Sequence, residues 1–118
     1  NISSVYGSRG SMEEVHPAIA YNSSKAAINL LTMNLAIKLS KYKINVNAIA
    51  PGFFKTDMMA YIFKPEMKPM LDAMLGFIPL NKVGEEEDIK GLAVYLASKA
   101  SDLMTGAIIP LDGGLTAK

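Results

Sequence analysis

Tyr21 and Lys25, in the stretch Tyr21-Asn22-Ser23-Ser24-Lys25, stand at positions i and i+4 where a helical apolar pattern begins. On a helix such a pair shares a face, with Cβ atoms about 5–6 Å apart. A phenol in water holds its proton until about pH 10, too tightly for ready exchange at neutrality. An ammonium fixed about 5 Å away, at an effective dielectric of about 20, favours the phenolate by on the order of 3 kcal/mol. That suits general acid/base work. A serine hydroxyl delivered to the same place could donate a hydrogen bond to the oxygen that the phenol protonates, and Ser4, closing the opening Asn1-Ile2-Ser3-Ser4, is the candidate. Ser3 would point to the opposite face, because side chains alternate along a strand.

Several elements must hold these groups. Asn1 to Ser4 reads as the end of a strand, and residues 5 to 17, mixing Gly, Ser, charge and Pro, read as a loop. From Ala18 to about Lys41, apolar residues at Ala26, Ala27, Leu30, Leu31, Met33, Leu35, Ala36 and Leu39 predict a broad, largely buried helix. Ile44 to Ile49 alternates apolar and polar, the periodicity of a strand, and Pro51-Gly52 ends it. Residues 53 to 80 are irregular, and Pro65, Pro69 and Pro79 limit helix there to short pieces. Acids at Glu85, Glu86, Glu87 and Asp88 mark a helix start that continues through Ile89, Leu92, Ala93 and Leu96 to near Ser98. Ala107 to Leu111 reads as a last strand, closed by Asp112-Gly113-Gly114. Alternating strands and helices predict a parallel sheet covered by helices, with ligands bound beyond the carboxyl ends of the strands.

Composition narrows the function classes. The 118 residues suffice for one small domain. Twelve basic against eleven acidic side chains give a net charge of +1, which offers no electrostatic case for nucleic acid or an anionic membrane. The absence of cysteine excludes a disulfide framework and a thiolate metal site, and suits a reducing cytoplasmic setting. No apolar run reaches the roughly 18 residues that span a bilayer. His16, beside Glu13 and Glu14, admits a metal reading, but one imidazole near two carboxylates is more simply a polar loop.

Four linked blocks carry a resemblance: the serine of "NISS", the Tyr-x-x-x-Lys helix, "NVNAIAPGFFKT" and "TGAIIPLDGG". In this order they resemble the short-chain dehydrogenase/reductase family, over essentially the whole chain. The resemblance implies an α/β, Rossmann-like doubly wound parallel sheet, of which residues 1–118 are the C-terminal portion. It implies an NAD- or NADP-dependent enzyme interconverting a ketone and a secondary alcohol. By position, Tyr21 matches the catalytic acid/base, Lys25 the lysine that assists it and binds the nicotinamide ribose, and Ser4 the serine that orients the substrate oxygen. Pro51 and Gly52 match the turn against the nicotinamide, Phe54 offers backbone to the carboxamide, and Thr56 matches the threonine on the carboxamide or phosphates. Within the family the likeness is to 3-oxoacyl thioester reductases and gluconate or related sugar-acid dehydrogenases. The family is commonly tetrameric.

Departures accompany the match. The family's Gly-rich pyrophosphate turn, Asn-Ala-Gly segment and catalytic asparagine are not in this sequence, so the 118 residues alone are expected neither to bind dinucleotide tightly nor to turn over substrate. Gly7 and Gly10, or Gly113 and Gly114, stand in the wrong element to replace that turn. The segment from Ser4 to Tyr21 is longer than is usual, which keeps Ser3 as the alternative to Ser4. The Met- and Phe-rich stretch 53 to 80 reads as a substrate lid, with core filler or a partner surface as the plainer readings. From other classes, a non-catalytic scaffold or binding protein on the same fold is the main alternative, and a packing module that matches a separate N-terminal half is another.

Overall fold

A computed structural model describes residues 1–11 and 18–117. Glu13, Glu14 and His16, the residues that admit a metal reading, lie outside the described residues. Two strands, β1 (Ala48–Pro51) and β2 (Ile108–Leu111), pair in parallel with Ala48 opposite Ile108. On the other edge of β1, Ile2 forms a parallel bridge with Ile49, held by Ser3 N–H to the Ile49 carbonyl at 2.8 Å and Ile49 N–H to the Asn1 carbonyl at 3.0 Å. Parallel neighbours need long crossovers, and here helices supply them. Helix α1 (Ile19–Leu39) links the opening segment to β1, whereas α2 (Lys68–Gly76) and α3 (Glu86–Ala97) lie between β1 and β2.

The first strand sits later than its alternation predicts, at 48–51 rather than 44–49. Asn45 and Asn47 explain the shift, because their side chains bond another segment and so stand outside a regular ladder. The Asn45 amide donates to the Asp102 carbonyl at 3.0 Å, and that of Asn47 to the Met104 carbonyl at 2.8 Å. The Asn47 side-chain oxygen in turn accepts from Ala107 N–H at 3.0 Å. The sheet proper begins once these bonds have aligned the two strands. Ala48, Ile49 and Ala50 are then fully buried.

Helix α1 is also less buried than predicted. Its buried positions are Asn29, Thr32 and Ala36, while Leu30, Leu31, Met33 and Ile37 are exposed, Ile37 at 76%. An apolar stripe this broad cannot all face one narrow sheet, and small or polar side chains occupy the face that does. The helix finishes in a 3-10 turn at Ser40–Tyr42, where Lys43 turns left-handed at φ 58°.

Residues 53 to 80 form short pieces, as the prolines require: 3-10 turns at Asp57–Phe63 and Pro65–Met67, then α2. Helix α3 opens on a reciprocal capping box, in which the Glu85 side chain accepts from Asp88 backbone and Asp88 Oδ2 accepts from Glu85 N–H at 2.8 Å. A small core of Val5, Ile78 and Leu115, with Tyr6, Phe53 and Leu75 against it, lies where the segments entering and leaving the sheet meet.

Candidate active site

Tyr21 lies in the first turn of α1, and the next turn carries Lys25. The Lys25 ammonium is 5.5 Å from the centroid of the Tyr21 ring and donates to the Ile2 carbonyl at 3.2 Å. The expected shared face is therefore present, and the lysine also ties the helix to the strand end.

Ser4 leaves that strand end in extended conformation and caps the 3-10 turn Val5–Gly7, its Oγ accepting from Tyr6 N–H at 3.2 Å. This uses a lone pair and leaves the Ser4 O–H able to donate. Ser3 is engaged differently. Its hydroxyl donates to the Lys25 carbonyl and to Asn29 Oδ1, so its oxygen pins the strand to α1.

Asn29 is a residue that sequence reasoning missed. It is buried, accepts from Ser3, and donates to the Gly7 carbonyl at 3.1 Å and the Ser8 hydroxyl at 2.9 Å. One side chain thus fixes both ends of the segment that presents Ser4. The signal was available: Tyr21, Lys25 and Asn29 follow one another at i, i+4 and i+8, a polar ridge in an otherwise apolar helix.

On the far side, β1 delivers Pro51 and Gly52. Gly52 N–H donates to the Leu111 carbonyl at 3.0 Å, and a Cβ on Gly52 would stand 2.8 Å from that of Asp112. Only glycine lets the two strand ends approach so closely. Phe54 follows, bridged to Gly84, whose missing side chain leaves room for the Phe54 ring: a Cβ there would meet ring carbons at 2.6 and 2.7 Å. Thr56 then precedes the 3-10 turn without spending its hydroxyl on a cap.

Asp112 locks the end of β2. Burial works against its ionisation, but hydrogen bonds from the Thr116 hydroxyl and the Gly114 and Thr116 N–H groups, with the Arg9 charge, outweigh it and hold the carboxyl below its ordinary range. Gly113 and Gly114 both have positive φ and shape this turn, and Gly7 packs on the Lys25 backbone. Burial pushes the Tyr6 phenol above its ordinary value, with Arg9 opposing, so Tyr6 stays protonated across the physiological range.

All seven residues predicted for the site, Ser4, Tyr21, Lys25, Pro51, Gly52, Phe54 and Thr56, line one cleft of about 1190 Å³. Among the described residues, no group of three His, Asp or Glu side chains is placed to hold a metal. No helix among them is long and apolar enough to cross a membrane.

A family model described as Enoyl-(Acyl carrier protein) reductase matches residues 1–116. The chain belongs to the short-chain dehydrogenase/reductase family. Among curated members, a 2-dehydro-3-deoxy-D-gluconate 5-dehydrogenase of Formosa agariphila is 39% identical over 98 residues, covering 83% of this chain and 37% of that protein. A 3-oxoacyl-[acyl-carrier-protein] reductase of Pseudomonas aeruginosa is 37% identical over 115 residues, covering 98% of this chain and 43% of that one. Among solved members, a gluconate 5-dehydrogenase of Burkholderia cenocepacia, crystallised with NADP and tartrate, superposes with a TM-score of 0.86 at 29% identity, over 100% of this chain and 44% of that one. The chain thus spans about two fifths of the length of these family members. Its fold class is that of the family, an α/β, Rossmann-like arrangement with a parallel sheet.

Proposed function

We propose that this chain carries the proton-transfer side of an NAD(P)-dependent oxidoreductase that interconverts a ketone and a secondary alcohol, and that residues 1–118 make up the C-terminal half of one Rossmann-like domain. The observation that carries the reading is the convergence of Ser4, Tyr21 and Lys25 with the Pro51–Thr56 turn on one cleft.

The donor set fits the nicotinamide end of a dinucleotide. An ammonium suits ribose hydroxyls, the free hydroxyl of Thr56 and backbone beside Phe54 suit a carboxamide, and Gly52 adds no side chain that would hold a ring away. When bound, nicotinamide supplies or accepts the hydride at the substrate carbon. In the reducing direction the Tyr21 O–H donates its proton to the carbonyl oxygen as negative charge develops there. Ser4 donates a second hydrogen bond to the same oxygen and holds it in reach of the phenol. Lys25 holds its ammonium beside the Tyr21 ring as the proton leaves. In the oxidising direction the same phenolate takes the alcohol proton. The family members named above, which act on sugar acids and on 3-oxoacyl thioesters, bracket the substrate.

The exposed apolar side of α1, at Leu30, Leu31 and Ile37, supports assembly into a homo-oligomer, a tetramer by family resemblance. A cysteine-free sequence supports a cytoplasmic location.

The test is NADH and NADPH oxidation by the full-length protein with ketones, 3-oxoacyl thioesters and keto sugar acids, alongside Ser4→Ala. Turnover of one class, with kcat lowered by roughly 100-fold in the variant, is the expected result. Cofactor binding without turnover of any class would instead favour a non-catalytic protein on the same scaffold.

A further inference from the structure

We infer that the substrate of this site carries its carbonyl or carbinol on an uncharged, apolar body, an aliphatic chain or an alicyclic ring, and is not a sugar acid. The inference rests on the oxidoreductase reading above and decides between the substrate classes that reading leaves open.

The cleft wall facing the Ser4–Tyr21 pair is built from the 3-10 turn Asp57–Phe63 and from α2, which present Met58, Met59, Met70 and Met74, with Phe77 just beyond α2. Ile62 and Met74 are buried at 2% and 6% and anchor these two pieces, while Met58 at 77% and Met70 at 39% stay exposed. Unbranched thioether side chains on an anchored frame form a wall that adapts to an apolar shape. It offers hydroxyl-rich ligands almost nothing.

Charge in the cleft points the same way. Recognition of a carboxylate calls for a cation with donors to spare, and guanidinium is the best suited. Arg9, the only arginine in the sequence, donates to the Leu115 carbonyl at 2.7 Å and lies outside the cleft. Among the described residues, the charged groups lining the cleft are Lys25, Lys55 and Glu86. Lys25 is held by the Ile2 carbonyl and the Tyr21 ring, and the Lys55 ammonium sits 5.9 Å from the centroid of the Phe63 ring. Glu86, on the same wall, is exposed and paired with Lys90 at 2.9 Å, so it supplies no donor to an acid. Among the described residues, the cleft lining beyond Ser4, Tyr21, Thr56 and the charged groups holds three further polar side chains, Ser3, Tyr6 and Tyr61.

The experiment uses the full-length protein. With a homologous series of 2-alkanones and 3-oxoacyl thioesters, kcat/KM should rise about fourfold per added methylene until the cleft is filled. Keto sugar acids should lie at least about 100-fold below the best of these. In parallel, Nile red bound in the cleft should be displaced by decanol and not by gluconate. That readout requires no turnover. If decanol displaces the dye while no carbonyl is reduced, the apolar assignment stands and the oxidoreductase reading fails. If sugar acids are the better substrates, or gluconate displaces the dye and decanol does not, the apolar assignment is overturned. Met70→Arg adds a selectivity check at an exposed position: apolar substrates should lose at least about tenfold in kcat/KM while keto sugar acids hold or gain. Equal losses for both classes would overturn the role given to this wall.

Discussion

A methyl group on Gly7 would stand 2.8 Å from the carbonyl carbon and oxygen of Lys25, so the segment carrying Ser4 touches the helix carrying Tyr21 through bare backbone. No other residue permits that contact. The distance between the serine hydroxyl and the phenol therefore depends on a glycine that meets Ser4 only through backbone, its N–H donating to the Ser4 carbonyl at 2.9 Å.

Gly7→Ala should push the two apart. Overpacking of this kind costs about 1–3 kcal/mol, and a displacement of about 1 Å at the reacting groups costs on the order of 100-fold in rate. Chemical denaturation together with kcat on the full-length protein checks both. A variant with wild-type stability and rate would contradict the contact.

Asn29 closes the same junction from the helix side. Asn29→Leu keeps the branching of the side chain but leaves the Gly7 carbonyl and the Ser3 and Ser8 hydroxyls without their amide partner. A loss of about 1–3 kcal/mol is expected, read as a lower urea midpoint with an unchanged slope. Asn29→Asp retains the acceptor for Ser3 and loses the donors, so it should fall between the two.

Phe54 and Gly84 form a comparable pair at the turn assigned to the cofactor. Gly84→Ala must displace the Phe54 ring, and with it the backbone between Pro51 and Thr56. The Michaelis constant for NAD(P)H should rise about tenfold, the order expected for a binding interaction lost to a local shift. Adding Phe54→Ala makes room for the new methyl, so the double variant should be less impaired than the sum of the two singles. Strict additivity would contradict the clash.

Asp112 gives the turn after β2 a dependence on pH whose sign can be worked out. Its folded carboxyl titrates below the ordinary carboxylate range near 3.9, so its contribution is fully present above that value and is lost as pH falls through the folded value. Asp112→Asn should therefore be less stable than wild type at pH 6, and the difference should shrink on acidification below about pH 4. Urea midpoints at several pH values measure it. A difference that stays constant from pH 6 to pH 3 would contradict the assignment.

What the sequence revealed and what it hid divide along a physical line. The pairing of Tyr21 with Lys25 and the acidic start of α3 are local, set by spacing within a few residues, and both are present in the structure. The first strand was misplaced because Asn45 and Asn47 bond residues more than fifty positions away, and local periodicity carries no record of that. The burial of α1 was overestimated for a related reason. A stripe of Leu30, Leu31 and Ile37 tells that the helix is apolar, not which side meets the sheet, and that side proved to be Asn29, Thr32 and Ala36. The cleft itself gathers Ser4, Tyr21 and the Pro51–Thr56 turn from three separated segments, and only their linked order made that gathering legible.

We propose that the Tyr21 phenol exchanges a proton with the substrate oxygen. It is tested most directly by kcat of Tyr21→Phe in the full-length protein, a change that removes one oxygen and keeps the ring. The expected result is that kcat falls by about 100- to 10,000-fold while cooperative unfolding is retained. A variant that turns over within about twofold of wild type would contradict it.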